Sequence, residues 1–301
     1  MEAKKEPASK KTIVDLVDRQ EWLDPIAEAV QPRITNLFRS GGAAGQKIKD
    51  LFNGVWLGHP LHSALTDLPL GAWTAAVWLD LLEPRSGPRR PGLARAADAA
   101  VALGLAGALG SAVTGLTDWS DTYGRSRKVG VAHALGNIAA TTLFAASLFS
   151  RRRGSRDTGR LLAGLGLLVA SGAAYLGGHL VFGEQIGVDH TAAQELPKDF
   201  VAVLPERDLL EGKLTRANAG SVPVVLLKRA GEILAIAATC AHMGGPLAEG
   251  TLEGEDVICP WHASRFSMRT GEIVNGPSCY PQPRLETRVS NGQIEVRAAK
   301  K

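Results

Sequence analysis

The chain has no internal repeat, no phosphate-binding glycine loop and no nucleic-acid motif, so nothing in it points to a repeat array or a nucleotide fold. Its formal net charge of +4 over 301 residues comes from arginine-rich loops and a lysine-rich start, and nucleic acid is not an expected partner. Met1 to Lys11 is charged and lacks an apolar core, so no cleavable signal is expected and this stretch reads as disordered. Cysteine is scarce, with three in all at Cys240, Cys259 and Cys279.

Asp, Glu, Lys and Arg are missing altogether from Leu161 to Gly183, from Val129 to Ser150 and from Ala99 to Thr117. A membrane-spanning helix needs about 20 such residues. The third run is rich in Gly, Ala and Ser, which let membrane helices approach closely. Leu61 to Leu82 is apolar overall but holds His62, Asp67 and Asp80, which are costly in lipid unless they face a bundle interior or an end. The expectation is four transmembrane helices, with a soluble alanine-rich four-helix bundle as the alternative. Arg85, Arg89, Arg90 and Arg95 lie between the first two spans, and Arg151, Arg152, Arg153, Arg156 and Arg160 between the last two. The positive-inside rule puts both loops in the cytoplasm and both ends of the chain outside, although the N-terminal tail is itself basic. Arg151 to Arg153 reads either as a charge anchor or as an internal twin-arginine signal. From Thr12 to Phe38 apolar residues recur at helical spacing, broken at Pro25 and Pro32, as in short amphipathic helices on a bundle or membrane surface.

Near the C-terminus Cys240-Ala-His242 and Cys259-Pro-Trp-His262 each pair a thiolate with an imidazole, on either side of a Gly/Pro-rich stretch. Each pair runs into a turn, Met243-Gly-Gly-Pro246 and Ala263-Ser264, so two loops can close over one metal centre from opposite sides. Two Cys and two His also suit a tetrahedral zinc ion. A zinc site does not require the short segment to Ser267, the turn at Thr270-Gly-Glu272 or the proline loop at Gly276-Pro-Ser278 that come after His262.

Together these motifs resemble the Rieske family over roughly residues 198 to 298. The resemblance implies an all-β domain holding a [2Fe–2S] cluster, with Cys240 and Cys259 on one iron, His242 and His262 on the other, and Ser264 as a donor to a bridging sulfide. Respiratory members carry a disulfide between the two loops and a tyrosine near the end of the second. Gly245, Trp261 and Phe266 stand at those positions here, so the ferredoxin or oxygenase type is implied, with a potential at the low end of the Rieske range. Cys279, with no partner, reads as a small buried or surface thiol.

Gly54-Val-Trp-Leu-Gly-His-Pro-Leu-His62 through Asp80, with Ala174 to Phe182, resembles a bacterial family of four-helix membrane proteins of unknown function, some of which end in a Rieske domain. The expected division is therefore 1–50 tail and amphipathic helices, 51–190 four-helix membrane domain and 198–301 Rieske domain. His59, His62, His133 and His179 would lie at one face of such a bundle, the face from which the Rieske domain emerges beyond His190. His62 and Thr66, His133 and Asn137, and Tyr175 and His179 are each spaced i,i+4 on one helix face. Paired imidazoles on facing helices hold b-type haem, so these four residues form a candidate haem or metal pocket with Asp67 and Asp118 behind them; the alternative is helix-end polar groups at the headgroup level.

Two functional classes fit these features. One is an electron-transfer protein of the bacterial cell membrane, passing single electrons between unknown partners, a haem or a quinone at the bundle rim. The other is a Rieske subunit of an oxidoreductase or oxygenase whose catalytic component is a separate chain. The short stretch after His262 leaves no room for the second, mononuclear iron that a self-contained Rieske oxygenase needs.

Overall fold

The computed structural model describes residues 12–83 and 91–300; the lysine-rich start and Arg85, Arg89 and Arg90 lie outside the described residues. Among the described residues seven α-helices come first: α1 Ile13–Asp18, α2 Leu23–Ser40, α3 Gly42–Asn53, α4 Leu61–Leu82, α5 Pro91–Trp119, α6 Gly124–Arg152 and α7 Arg156–Phe182. After them come ten strands, β1 Val201–Pro205, β2 Thr215–Ala219, β3 Val222–Arg229, β4 Glu232–Ala237, β5 Thr251–Glu253, β6 Asp256–Ile258, β7 Arg265–Ser267, β8 Ile273–Asn275, β9 Arg284–Ser290 and β10 Gln293–Ala298. The fold is thus a helical region followed by a β domain.

Among the described residues three helices are long and apolar enough to cross a membrane: Gly92–Trp119, Gly124–Arg152 and Arg156–Phe182. The fourth expected span forms as a helix over the residues anticipated, but Asp67 and Asp80 keep it below that level of apolarity. The chain divides into two compact units: Met1–Ile34 with Thr66–Ala112 and Thr122–Glu184, and Thr35–Leu65 with Val113–Asp121 and Gln185–Lys301.

In the first unit Trp73 and Ala76 of α4, Val101 of α5, Ala140 and Phe144 of α6, and Ala163 and Ala170 of α7 bury one shared core. The rings of Trp73 and Phe144 stack at 4.2 Å. This is possible because Gly104 leaves room: a Cβ there would stand 2.2 Å from the Trp73 ring nitrogen. Beside this core, Arg151, Arg156 and Arg160 pair with Asp80, Glu83 and Asp98, and the Arg151 side chain is wholly buried. The arginines that read from sequence as loop charges are in part an internal ion-pair network.

The second unit holds two antiparallel sheets, one of order β1-β10-β9-β4-β3-β2 and one of order β5-β6-β7-β8. Side chains of β3 alternate with the period of two expected for a strand. Val225 and Leu227 enter a core with Ile236, Val257, Phe266 and Met268 that also contains Cys240 and Cys259. Val224 and Leu226 enter a second core with Leu285, Ile294 and Val296. Helix α3 belongs to this unit and ends at Gly54 with φ 88°, where a Cβ would lie 2.2 Å from the His59 carbonyl, so only glycine makes the turn.

Candidate metal centre

The two Cys/His clusters occupy the β4–β5 and β6–β7 loops. Each loop closes on its cysteine in the same way. The Cys240 N–H donates to the Gly245 carbonyl at 2.8 Å and the Gly244 N–H to the Cys240 carbonyl at 2.9 Å. The Cys259 N–H donates to the Ser264 carbonyl at 2.9 Å and the Ala263 N–H to the Cys259 carbonyl at 3.1 Å. These bonds fix both sulfurs in the buried base of the loops. Gly244 and Ala263 are left-handed, with φ 77° and 60°.

The sulfurs lie within hydrogen-bonding reach of one another; that bond, with burial, holds the Cys240 thiol above its usual range, and the same bond pulls Cys259 down to about 7. Main-chain N–H groups of His242 and Met243 donate to the first sulfur, and those of Trp261 and His262 to the second. Such donors favour thiolate. The rings of His242 and His262 meet edge-on with centroids 5.1 Å apart. Burial lowers both their pKa values, His242 well below the usual range, so each offers a neutral ring to a metal. A Cβ on Gly245 would stand 2.8 Å from the Cys259 sulfur, so the loop has space against that sulfur only because residue 245 is glycine. Among the described residues no three His, Cys, Asp or Glu side chains converge on a single ion. Two thiols beside one another and two imidazoles beside one another suit a cluster whose irons each take two protein ligands, and not one tetrahedral ion.

A third loop, 276–283, completes the site. The Ser278 N–H donates to Ser264 Oγ at 3.1 Å, so Ser264, fully buried, keeps its own hydroxyl proton to give elsewhere. Gln282 donates to the Ala237 carbonyl at 2.9 Å and accepts the Ala241 N–H at 3.0 Å, tying the first loop to the third. Helix α3 anchors the third loop: Asp50 Oδ1 accepts the Gly276 N–H at 3.0 Å, and the Cys279 thiol donates to the Asn53 carbonyl at 3.1 Å. A small cavity of about 30 Å³, room for a water or two, lies beside His242 and is lined among others by Asn53, Asp118, Pro277 and Tyr280. Phe266 is fully buried in the core that contains both cysteines.

Sequence reasoning did not find Lys49, Asp50, Asn53, Asp121 or Gln282. They are distant in sequence from the motif or lie outside its ligand pattern, and the one signal pointing to any of them was that Asp118 and Asp121 come just after an uncharged run. The remaining candidate histidines have partners nearby in their own units. His59 Nδ1 is 3.1 Å from the Pro60 carbonyl, and His62 Nδ1 is 3.5 Å from Thr114 Oγ1. His133 Nδ1 is 2.8 Å from the Ala173 carbonyl with Asn137 beside its ring, as the i,i+4 spacing anticipated. His179 Nε2 is 3.3 Å from Glu184.

A two-sheet β domain that presents paired thiols and paired neutral imidazoles on adjoining loops is, as a class, a mixed-ligand iron–sulfur domain. Residues 199–287 match the Rieske [2Fe-2S] domain, and residues 58–190 match a predicted membrane protein domain, DUF2231. Ferredoxin CarAc of Metapseudomonas resinovorans is 30% identical over 34% of this chain and 96% of its own length. The ferredoxin component of biphenyl 2,3-dioxygenase from Rhodococcus jostii is 36% identical over 30% of this chain and 83% of its own. Apoptosis-inducing factor 3 of Homo sapiens is 33% identical over 35% of this chain, which spans only 18% of that protein. The chain belongs to the Rieske [2Fe-2S] family.

Proposed function

We propose that this chain is a membrane-held one-electron carrier, with Cys240 and Cys259 on one iron, His242 and His262 on the other, and the Ser264 hydroxyl directed to a bridging sulfide. The observation that carries this reading is the matched closure of two loops around paired sulfurs and paired neutral rings. A bound [2Fe–2S] group supplies reversible uptake of a single electron. The residues around it keep both thiols desolvated, donate main-chain N–H groups to them and exclude bulk water from the sulfur side.

The division into 1–50, 51–190 and 198–301, with four membrane-crossing helices in the second part, belongs to the same proposal. A parity argument supports the fourth crossing. Residues 35–60 precede α4 and residues 185–301 follow α7, yet both fold into one compact unit with the Asp50 to Gly276 bond between them. An odd number of crossings would separate them, which favours α4 crossing along with α5, α6 and α7. The β domain then lies opposite the α6–α7 loop, outside the cell if Arg152 and Arg153 mark the cytoplasmic side.

For the electron partner, the relatives' names favour a separate oxidoreductase or oxygenase component. A quinone at the membrane rim or a b-type haem on His59, His62, His133 and His179 is the membrane-side reading, and the partners already found for these histidines favour hydrogen-bonding roles. Purified, detergent-solubilised protein analysed for iron and acid-labile sulfide and studied by EPR tests the proposal. We expect a reduced Rieske signal that His262→Ala abolishes; zinc alone in the metal analysis overturns it. A dithionite-reduced b-type band removed by His133→Ala would establish the haem, and its absence in haem-replete protein would dismiss it.

A further inference from the structure

Lys49 of α3 and Asp121, two residues beyond α5, form an ion pair in the same unit as the candidate centre, with Nζ 2.6 Å from Oδ1. Both side chains are nearly buried, at 12% and 7% exposure. The second carboxylate oxygen of Asp121 is buried and has no hydrogen-bond partner among the described residues. Half-satisfied buried carboxylates are costly, and a buried ion pair is weak evidence for stability, so its position invites a functional account. The Asp121 main-chain carbonyl accepts a hydrogen bond from the His262 ring, and the charge of Lys49 acts on the rings of both His242 and His262. Asp118, one turn before, adds a second carboxylate, held by the Asn53 side-chain amide at 2.8 Å. The Asp121 carboxylate and the Lys49 ammonium therefore stand at the imidazole edge, with Asp118 lining the small cavity beside His242.

We propose that Lys49 and Asp121 are positioning residues for the imidazole side of the cluster: Asp121 fixes the His262 ring through its carbonyl, and Lys49 offsets the carboxylate charge that would otherwise disfavour uptake of an electron. This rests on the ligand assignment proposed above. The pair touches no ligand sulfur and is remote from the motif in sequence. The electron-accepting edge is thus set by helix-linked segments of the same chain, and a β domain of this family expressed without them would lack this adjustment.

The test is an EPR-monitored redox titration of the full chain in detergent, with Lys49→Met, Lys49→Arg, Asp121→Asn and the Lys49→Met/Asp121→Asn pair. Lys49→Met should keep the signal and favour the oxidised form by tenfold or more in the one-electron equilibrium, about 59 mV toward negative potential. Lys49→Arg should retain the wild-type midpoint, and the double variant should return toward it. Asp121→Asn should move the midpoint the other way, which keeps the proposal testable should Lys49→Met lose its cluster. Equal midpoints across variants that keep the Rieske signal overturn the proposal and leave the ligand assignment standing. No Rieske signal in iron-replete wild-type protein overturns the assignment itself.

Discussion

Ala263 carries a side chain at φ 60°, in the left-handed region. A left-handed non-glycine residue costs on the order of 1 kcal/mol or more. Ala263→Gly should therefore stabilise the second loop by about 0.5 to 1 kcal/mol, read as slower loss of the cluster's visible absorption on heating. Gly245→Ala should do the opposite, because the new Cβ would stand 2.8 Å from the Cys259 sulfur and 3.2 Å from the Trp261 ring. The measurement is cluster content after purification, and wild-type content would show that the loop can shift. The midpoint potential should lie near the lower end of the Rieske span of about −150 to +300 mV, since Gly245, Trp261 and Phe266 replace a disulfide and a hydroxyl donor. A midpoint well above zero would mean that Ser264 and the main-chain N–H groups outweigh those losses. At this scale the motif residues were legible because metal chemistry demands particular side chains at particular spacings. Lys49, Asp121 and Gln282 were not, because their roles come from contacts that no local spacing encodes.

Helices carry two devices that the sequence only hinted at. The sequence places α3 between the amphipathic helices and the first span, with no link to the β domain, yet through Asp50 it grips the proline loop. Burial raises the Asp50 pKa, against the hydrogen bonds from Gln46 and Gly276, so the fold favours its protonated form. Its contribution is fully present below the ordinary value of 3.8 and is lost as pH rises through the higher folded value. Asp50→Asn keeps an acceptor and removes the charge, so its stability relative to wild type should grow from pH 4 to pH 7. Asp50→Ala should cost about 1 to 2 kcal/mol at either pH. Chemical denaturation at the two pH values checks both. Just beyond α4, burial pushes the Glu83 pKa up, but Arg156 and Arg160 more than offset this and hold it below the ordinary value of 4.5. That stability is present above 4.5 and lost as pH falls through the lowered value. Glu83→Gln should lower the helical unit's stability by about 1 to 3 kcal/mol at pH 7 and by less as pH falls toward 4, followed by circular dichroism on heating. The α4 range, Leu61–Leu82, was legible from its apolar run. Its ion-pair partners were not, since the arginines looked alike as loop charges.

Crossing number is a property of the whole molecule, and the proposed four crossings lean on which segments share a unit. Hydropathy finds three helices apolar enough to span and leaves α4 below the line because of Asp67 and Asp80. Asp80 is paired with Arg151, so its charge does not face lipid and the simple hydropathy sum counts too much against α4. Large apolar side chains such as Leu109, Ile138, Phe149 and Leu168 are exposed on α5 to α7, as surfaces facing acyl chains would be. With four crossings, position 40 before α3 and position 291 in the β9–β10 turn lie on one side, and position 155 between α6 and α7 on the other. All three residues are exposed serine or asparagine, and the native cysteines are buried, so Ser40→Cys, Ser155→Cys and Asn291→Cys give three reporters against a quiet background. An impermeant maleimide applied to intact cells and to inverted vesicles should label positions 40 and 291 together and position 155 in the opposite preparation. Labelling of 40 with 155 would reduce the crossings to three. That outcome would also break the bond between α3 and the proline loop, because a membrane would then stand between Asp50 and Gly276.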